Sequence, residues 1–100
     1  MVQIKWTLQA KSDLKNIVDF ISQDSIRYAR KQYESIIDTV DFLTDNTKLG
    51  KIVLEKNQDN IREIQEGNYR IIYRIISMTE IHIITIHHGK KDFSAEVFDE

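Results

Sequence analysis

The sequence predicts an α+β domain: an N-terminal strand, an antiparallel helical hairpin, then an antiparallel meander of three or four strands. Three observations carry this. Apolar residues recur at helical spacing through the first half, and dense runs of isoleucine and tyrosine replace that pattern in the second. The breaks between runs are short, as hairpin connections are. A length of 100 residues supports one domain with one core, spanning residues 1–100, and there is no internal repeat, low-complexity tract or linker.

Each element follows from its pattern. Val2, Ile4 and Trp6 alternate with polar residues as a half-buried strand does. Thr7 offers a hydroxyl cap, and Ala10, Leu14, Ile17, Val18 and Ile21 lie at helical spacing, predicting a helix over 8–22. Asp24 or Ser25 can cap a second helix carrying Ile26, Ala29, Tyr33, Ile36, Ile37, Val40 and Leu43. The linker is short enough to force an antiparallel hairpin. After a turn-rich stretch, Thr44 to Lys51, Ile52 to Glu55 reads as a short strand or extended segment. Ile61 to Gln65, Tyr69 to Ser77 and Ile81 to His87 read as strands, because β-branched and aromatic residues fit a pleated surface. Residues 90–100 read as a short helix or extended tail.

The helical hairpin should cover one sheet face. In the strand from Tyr69, alternation puts Tyr69, Ile71, Tyr73 and Ile75 on one side, and Arg70, Ile72, Arg74 and Ile76 on the other. The tyrosine side is expected to pack on the helices, leaving the arginine side as the working face. Trp6, Phe20 and Phe42 are expected in the core or in the seam of the hairpin.

Composition narrows the function classes. With no cysteine there is no disulfide framework and no thiolate zinc site, which suits a reducing cytoplasm. No run approaches the roughly 20 apolar residues that span a bilayer, and the opening Met-Val-Gln-Ile-Lys-Trp lacks a signal-peptide pattern, so a soluble cytoplasmic protein is expected. A net charge of -2 lacks the basic excess of proteins that live on nucleic-acid phosphates. His87 and His88 are adjacent and point to opposite faces of a strand, whereas His82 and His88 would share one; without cysteine or close carboxylates, neither pair predicts a metal, and no cofactor is expected.

Trp6-Thr7, Ala10, Asp13-Leu14, Ile17 and Phe20-Ile21, with Ile61-Arg62-Glu63-Ile64, Tyr69-Arg70-Ile71-Ile72-Tyr73-Arg74-Ile75 and Ile81 to Ile86 running into His87-His88-Gly89-Lys90-Lys91-Asp92, resemble the RelE/ParE toxin superfamily of type II toxin–antitoxin modules, closer to its ParE-like members. The resemblance covers nearly the whole chain. One departure is Asp45 to Gly50, where ParE-like relatives usually carry a proline before the glycine. The resemblance implies a small α+β toxin fold, a cognate antitoxin as partner, and one of two activities. RelE-like members cut messenger RNA on the ribosome; ParE-like members inhibit DNA gyrase.

RNA cleavage by 2'-hydroxyl attack needs a base, a cationic phosphate clamp and an acid. By the resemblance, Arg70 matches the phosphate-stabilising arginine and Lys91 falls near a second cation. The two lysines of RelE-like nucleases fall at Ile61 and Glu63, and their C-terminal tyrosine falls near Phe98, which has no hydroxyl. A YoeB-like variant would draw on Glu55, Arg70 and His87 or His88, histidine being able to take or give a proton near neutrality. The missing lysines and tyrosine favour the gyrase reading, with the metal-independent ribonuclease on Arg70, Lys91, His87, His88 and Glu55 as the alternative. A third possibility is a non-toxic remnant that only binds antitoxin. In the favoured reading Arg62, Arg74, Lys90, Phe93 and Phe98 are the candidates for target or antitoxin binding, alone or in a homodimer or toxin–antitoxin hetero-oligomer. Arginines on a sheet also have a plainer use, pairing with carboxylates such as Glu63 or Asp92.

Overall fold

The computed structural model describes residues 2–53, 56 and 58–89. Strand β1 (Gln3–Trp6) leads into helices α1 (Leu8–Ser22) and α2 (Ile26–Phe42), followed by strands β2 (Lys51–Ile52), β3 (Ile61–Glu66), β4 (Tyr69–Ser77) and β5 (Glu80–His88). One five-stranded sheet results, in the order β1-β5-β4-β3-β2. The meander β2 to β5 is antiparallel throughout, and β1 joins its far edge parallel to β5, with Trp6 opposite Ile83. A parallel neighbour needs a crossover, and the two helices are that crossover.

Capping fixes both helix starts. Thr7 takes an extended conformation, and its hydroxyl accepts from the Ala10 amide at 3.1 Å while donating to the Ile83 carbonyl at 2.8 Å, so one side chain caps α1 and ties it to β5. Ser25 accepts from the Tyr28 amide at 3.0 Å and caps α2. Gly67, at φ +59°, makes the tight β3–β4 turn that a side chain would strain.

The sheet has an apolar cluster on each face. On the helix side, Ala10 and Leu14 of α1 and Ile36, Val40 and Leu43 around α2 pack on Tyr69, Ile71, Tyr73, Ile81, Ile83 and Ile86. On the other side Val53, Ile61, Ile72 and Ile84 form a second, smaller cluster. The split of β4 into a tyrosine face and an arginine face is as the alternation requires, but the open face is not wholly a working surface, since part of it is core.

Three expectations change. Phe20 and Phe42 are 68% and 65% exposed, outside both core and hairpin seam. At 100° per residue Phe20 falls roughly 100° and Phe42 roughly 125° from the centre of the buried stripe of its helix. Ile26 and Tyr33, placed on the apolar face of α2, are also largely exposed. His82 and His88 do not share a face. Tyr73 pairs with Ile83 and Ile72 with Thr85, so Ile84 is an extra residue in β5, and this bulge reverses the alternation between the two histidines.

Candidate functional site

The open face is built from cross-strand rows. Lys51, Glu63, Ile72 and Thr85 form one row across β2 to β5, and Gln65, Arg70 and His87 form the next. Glu63 and Arg70 sit diagonally on neighbouring strands because the two-residue turn at Gly67-Asn68 fixes the β3–β4 register. Their side chains are only 10% and 13% exposed, and the Arg70 Nε–H donates to the Glu63 carboxylate. The pair borders a pocket of about 460 Å³, also lined by Lys51, Gln65, Asn68 and His88.

Thr85 links this face to α1. Its hydroxyl donates to the Asp13 carboxylate and stands 3.0 Å from Nε2 of His87, and the Ile86 amide donates to the same carboxylate at 3.0 Å. With the Thr85 proton given to Asp13, its oxygen is left to accept from His87 Nε2–H, which selects the imidazole tautomer. His88, on the opposite side of the strand, meets Tyr69 edge to face with centroids 5.2 Å apart.

A second polar group lies at the other end of the face. His82 bonds the Glu80 carboxylate, and Lys5 approaches that carboxylate at 3.6 Å across the parallel β1–β5 pair. The bond from His82, with the nearby Lys5 charge, holds the Glu80 carboxyl below the usual carboxylate range. Arg74 stands opposite His82 and Ile61. Arg62 is engaged with backbone, its guanidinium donating to the carbonyls of Gly50 at 2.9 Å and Asp59 at 3.2 Å.

Of the residues singled out for nuclease chemistry, the structure sets Arg70 and His87 opposite each other in one row, and His88, at the end of the strand with its ring against Tyr69, lines the same pocket as Arg70. Glu55, Lys90, Lys91, Phe93 and Phe98 lie outside the described residues. The contact between Asp13 and Thr85 at this face is one that pattern reading missed, because the two are more than 70 positions apart in the chain. Among the described residues no group of three histidines, cysteines or carboxylates is placed to hold a metal ion, and no helix is long and apolar enough to cross a membrane.

On the helix side, Trp6, Leu14, Val18, Tyr33 and Ile37 line a largely apolar groove of about 420 Å³, with Lys11 and Lys15 of α1 at its rim.

A family model described as the ParE toxin of the type II toxin–antitoxin system parDE matches residues 4–93. The chain belongs to the ParE toxin family. Its fold is shared with known structures at low identity. A chain of the chromosomal ParDE toxin–antitoxin system of P. aeruginosa is 22% identical, with a TM-score of 0.71 over 90% of this chain and 98% of that one. A chain of the RelBE2 toxin–antitoxin complex of Mycobacterium tuberculosis is 19% identical, with a TM-score of 0.63 over 87% and 96%. No curated protein matches the sequence. The α+β architecture and the superfamily expected from the residues are thus those found, and this ParE-family chain is a type II toxin by family.

Proposed function

We propose that this ParE-family toxin inhibits growth by binding a cellular protein, DNA gyrase, and that a cognate antitoxin neutralises it. The observation that carries this reading is the Glu63 carboxylate on Arg70. A phosphate clamp must offer its cationic donors to the substrate. Here a buried carboxylate holds one face of the guanidinium, and Ile61, at the other position where RelE-like nucleases carry lysine, is packed in the open-face cluster. Both positions that would gather an RNA phosphate are spent on the fold. The antitoxin half rests on the groove between α1, α2 and β1, whose apolar lining and lysine rim fit an amphipathic, acidic segment of a partner.

The test is expression without antitoxin, followed by two assays on purified protein. The expected outcome is growth arrest, blocked gyrase supercoiling and intact messenger RNA on translating ribosomes. Cleavage at the ribosomal A site that disappears in Arg70→Ala would replace this reading with the ribonuclease. Unimpaired growth with confirmed soluble protein would replace it with a non-toxic antitoxin-binding member.

A further inference from the structure

Helix α2 carries its exposed charges in an order that does not suit a helix standing alone. Arg27, Arg30 and Lys31 occupy its N-terminal half, and Glu34, Asp38 and Asp41 its C-terminal half. The helix dipole favours the reverse arrangement. Arg27 and Lys31, like Glu34 and Asp38, are also same-sign neighbours at the i,i+4 spacing, which weakens a helix. Among the described residues none of these charges is in an ion pair. Two aromatic residues border the same surface: Tyr28 and Phe42 are 56% and 65% exposed, stand two heptads or about 21 Å apart, and have Ser35 midway between them. Phe42 borders a pocket of about 430 Å³ with Asp38, Asp41 and Asp45. We propose that this face of α2 is a self-association surface, on which two copies of the chain pack their α2 helices antiparallel about a two-fold axis at Ser35.

Antiparallel packing turns the unfavourable charge order into complementarity. A two-fold axis makes every contact twice. Centred on Ser35, it brings Tyr28 to the second copy's Phe42, Lys31 to its Asp38 and Arg27 to its Asp41, so the basic half of each helix covers the acidic half of the other. Parallel packing would set like charges together, which selects against it. Ser35 is small enough to let the two axes approach at the crossing, and Glu34, next to the axis, meets its own copy in the one like-charge contact. Tyr33 and Ile37, which line the helix-side groove, lie on the far side of α2. The association therefore leaves that groove open and does not rest on the function proposed above.

Sedimentation velocity of the purified full-length protein, without any antitoxin, tests this at concentrations from about 10 μM to about 1 mM, where weak specific association is measurable. The dimer fraction should rise with concentration and fall with added salt, because the pairs are exposed. Phe42→Ser should weaken association by about ten-fold, and Glu34→Gln should tighten it by about two-fold. The deciding measurement uses two charge variants, Arg27→Glu with Lys31→Glu, and Asp38→Lys with Asp41→Lys. Each alone should be monomeric, since its copies repel, whereas an equal mixture should dimerise, since every contact across the axis is then between opposite charges. All these positions are exposed, so circular dichroism should match the parent throughout. The chain has no cysteine, so Ser35→Cys should be joined to its copy by a short bis-maleimide, and Met78→Cys, on the exposed β4–β5 turn, should not. A parent that stays monomeric to the highest concentration overturns the proposal. A dimer that survives in both charge variants, or a mixture that stays monomeric, also overturns it and moves any association to another face.

Discussion

Arg70 and Glu63 tie β4 to β3 across the open face through one ion pair. Each side chain is nearly buried, and an ion pair so placed costs much when one partner is removed, because the other charge stays behind unpaired. Arg70→Ala should therefore lower stability by about 3 kcal/mol, and Glu63→Ala by a similar amount. The double variant Glu63→Leu with Arg70→Met should lose less than the sum; urea midpoints of the three proteins check this, and additive losses would mean that the pair is not coupled. Gly50 is set by space rather than charge. A Cβ there would stand 2.5 Å from the Glu63 carbonyl oxygen and 2.7 Å from the Tyr73 ring. The Tyr73 hydroxyl accepts from the Gly50 amide at 2.9 Å and donates to the Thr47 carbonyl at 2.7 Å, pinning the loop that precedes β2. Gly50→Ala should cost about 2–3 kcal/mol through overpacking. The Leu49 amide secures the same loop by donating to the Asn46 carbonyl at 3.0 Å, a bond that proline at this position would forfeit.

At the scale of elements, the helices were legible because caps and periodicity agree: Thr7 and Ser25 stand where a hydroxyl is needed, and each is followed by a stripe of aliphatic residues. The meander was legible because its turns are short and its strands β-branched. What the pattern could not show was how β5 ends. The Ile84 bulge has no local signature among isoleucines, yet it turns His82 and His88 to opposite faces. The alternation ends β1 at Trp6, as found, but it does not show that β1 pairs with β5 and that, among the described residues, the upper edge of β5 has no neighbouring strand. Asp13 takes that place, accepting from the Ile86 amide and the Thr85 hydroxyl as a missing strand's carbonyl would. Edge amides left unpaired in a buried site carry a desolvation penalty, so Asp13→Ala should cost about 1–3 kcal/mol. It should also raise hydrogen exchange at the Ile86 amide, while the amides of β3 keep their protection. Uniform loss of protection across the sheet would instead mean that Asp13 supports the whole fold. The candidate site was legible in its residue types, with Arg70 and its carboxylate partner both foreseeable, but its link to α1 through Thr85 belongs to tertiary structure alone.

For the molecule as a whole, the titratable groups frame a window of pH. Burial pushes the Tyr73 hydroxyl above its ordinary value of 10.0, more than the Gly50 bond and the Arg62 charge pull it down. Burial likewise raises Tyr69, with Tyr28 nearby adding to it. A group whose pKa is higher folded than unfolded keeps its proton preferentially in the folded state. Its contribution is complete below pH 10 and is lost as pH rises through the folded value. Glu80 works in the other direction. Held below its ordinary 4.5 by His82 and Lys5, it favours the folded state above that pH and ceases to do so as pH falls through its folded value. Urea midpoints measured from acid to alkali should trace a plateau with two descending limbs. Glu80→Gln should flatten the acid limb and leave the alkaline one alone. Tyr73→Phe should lower the plateau by about 1–3 kcal/mol, because the Gly50 amide and Thr47 carbonyl lose their partner, yet make the descent above pH 10 shallower, since the buried phenol that resists ionisation is gone. An unchanged alkaline slope in Tyr73→Phe would show that this hydroxyl does not control stability there, and would shift the cause to Tyr69, for which Tyr69→Phe is the matching measurement.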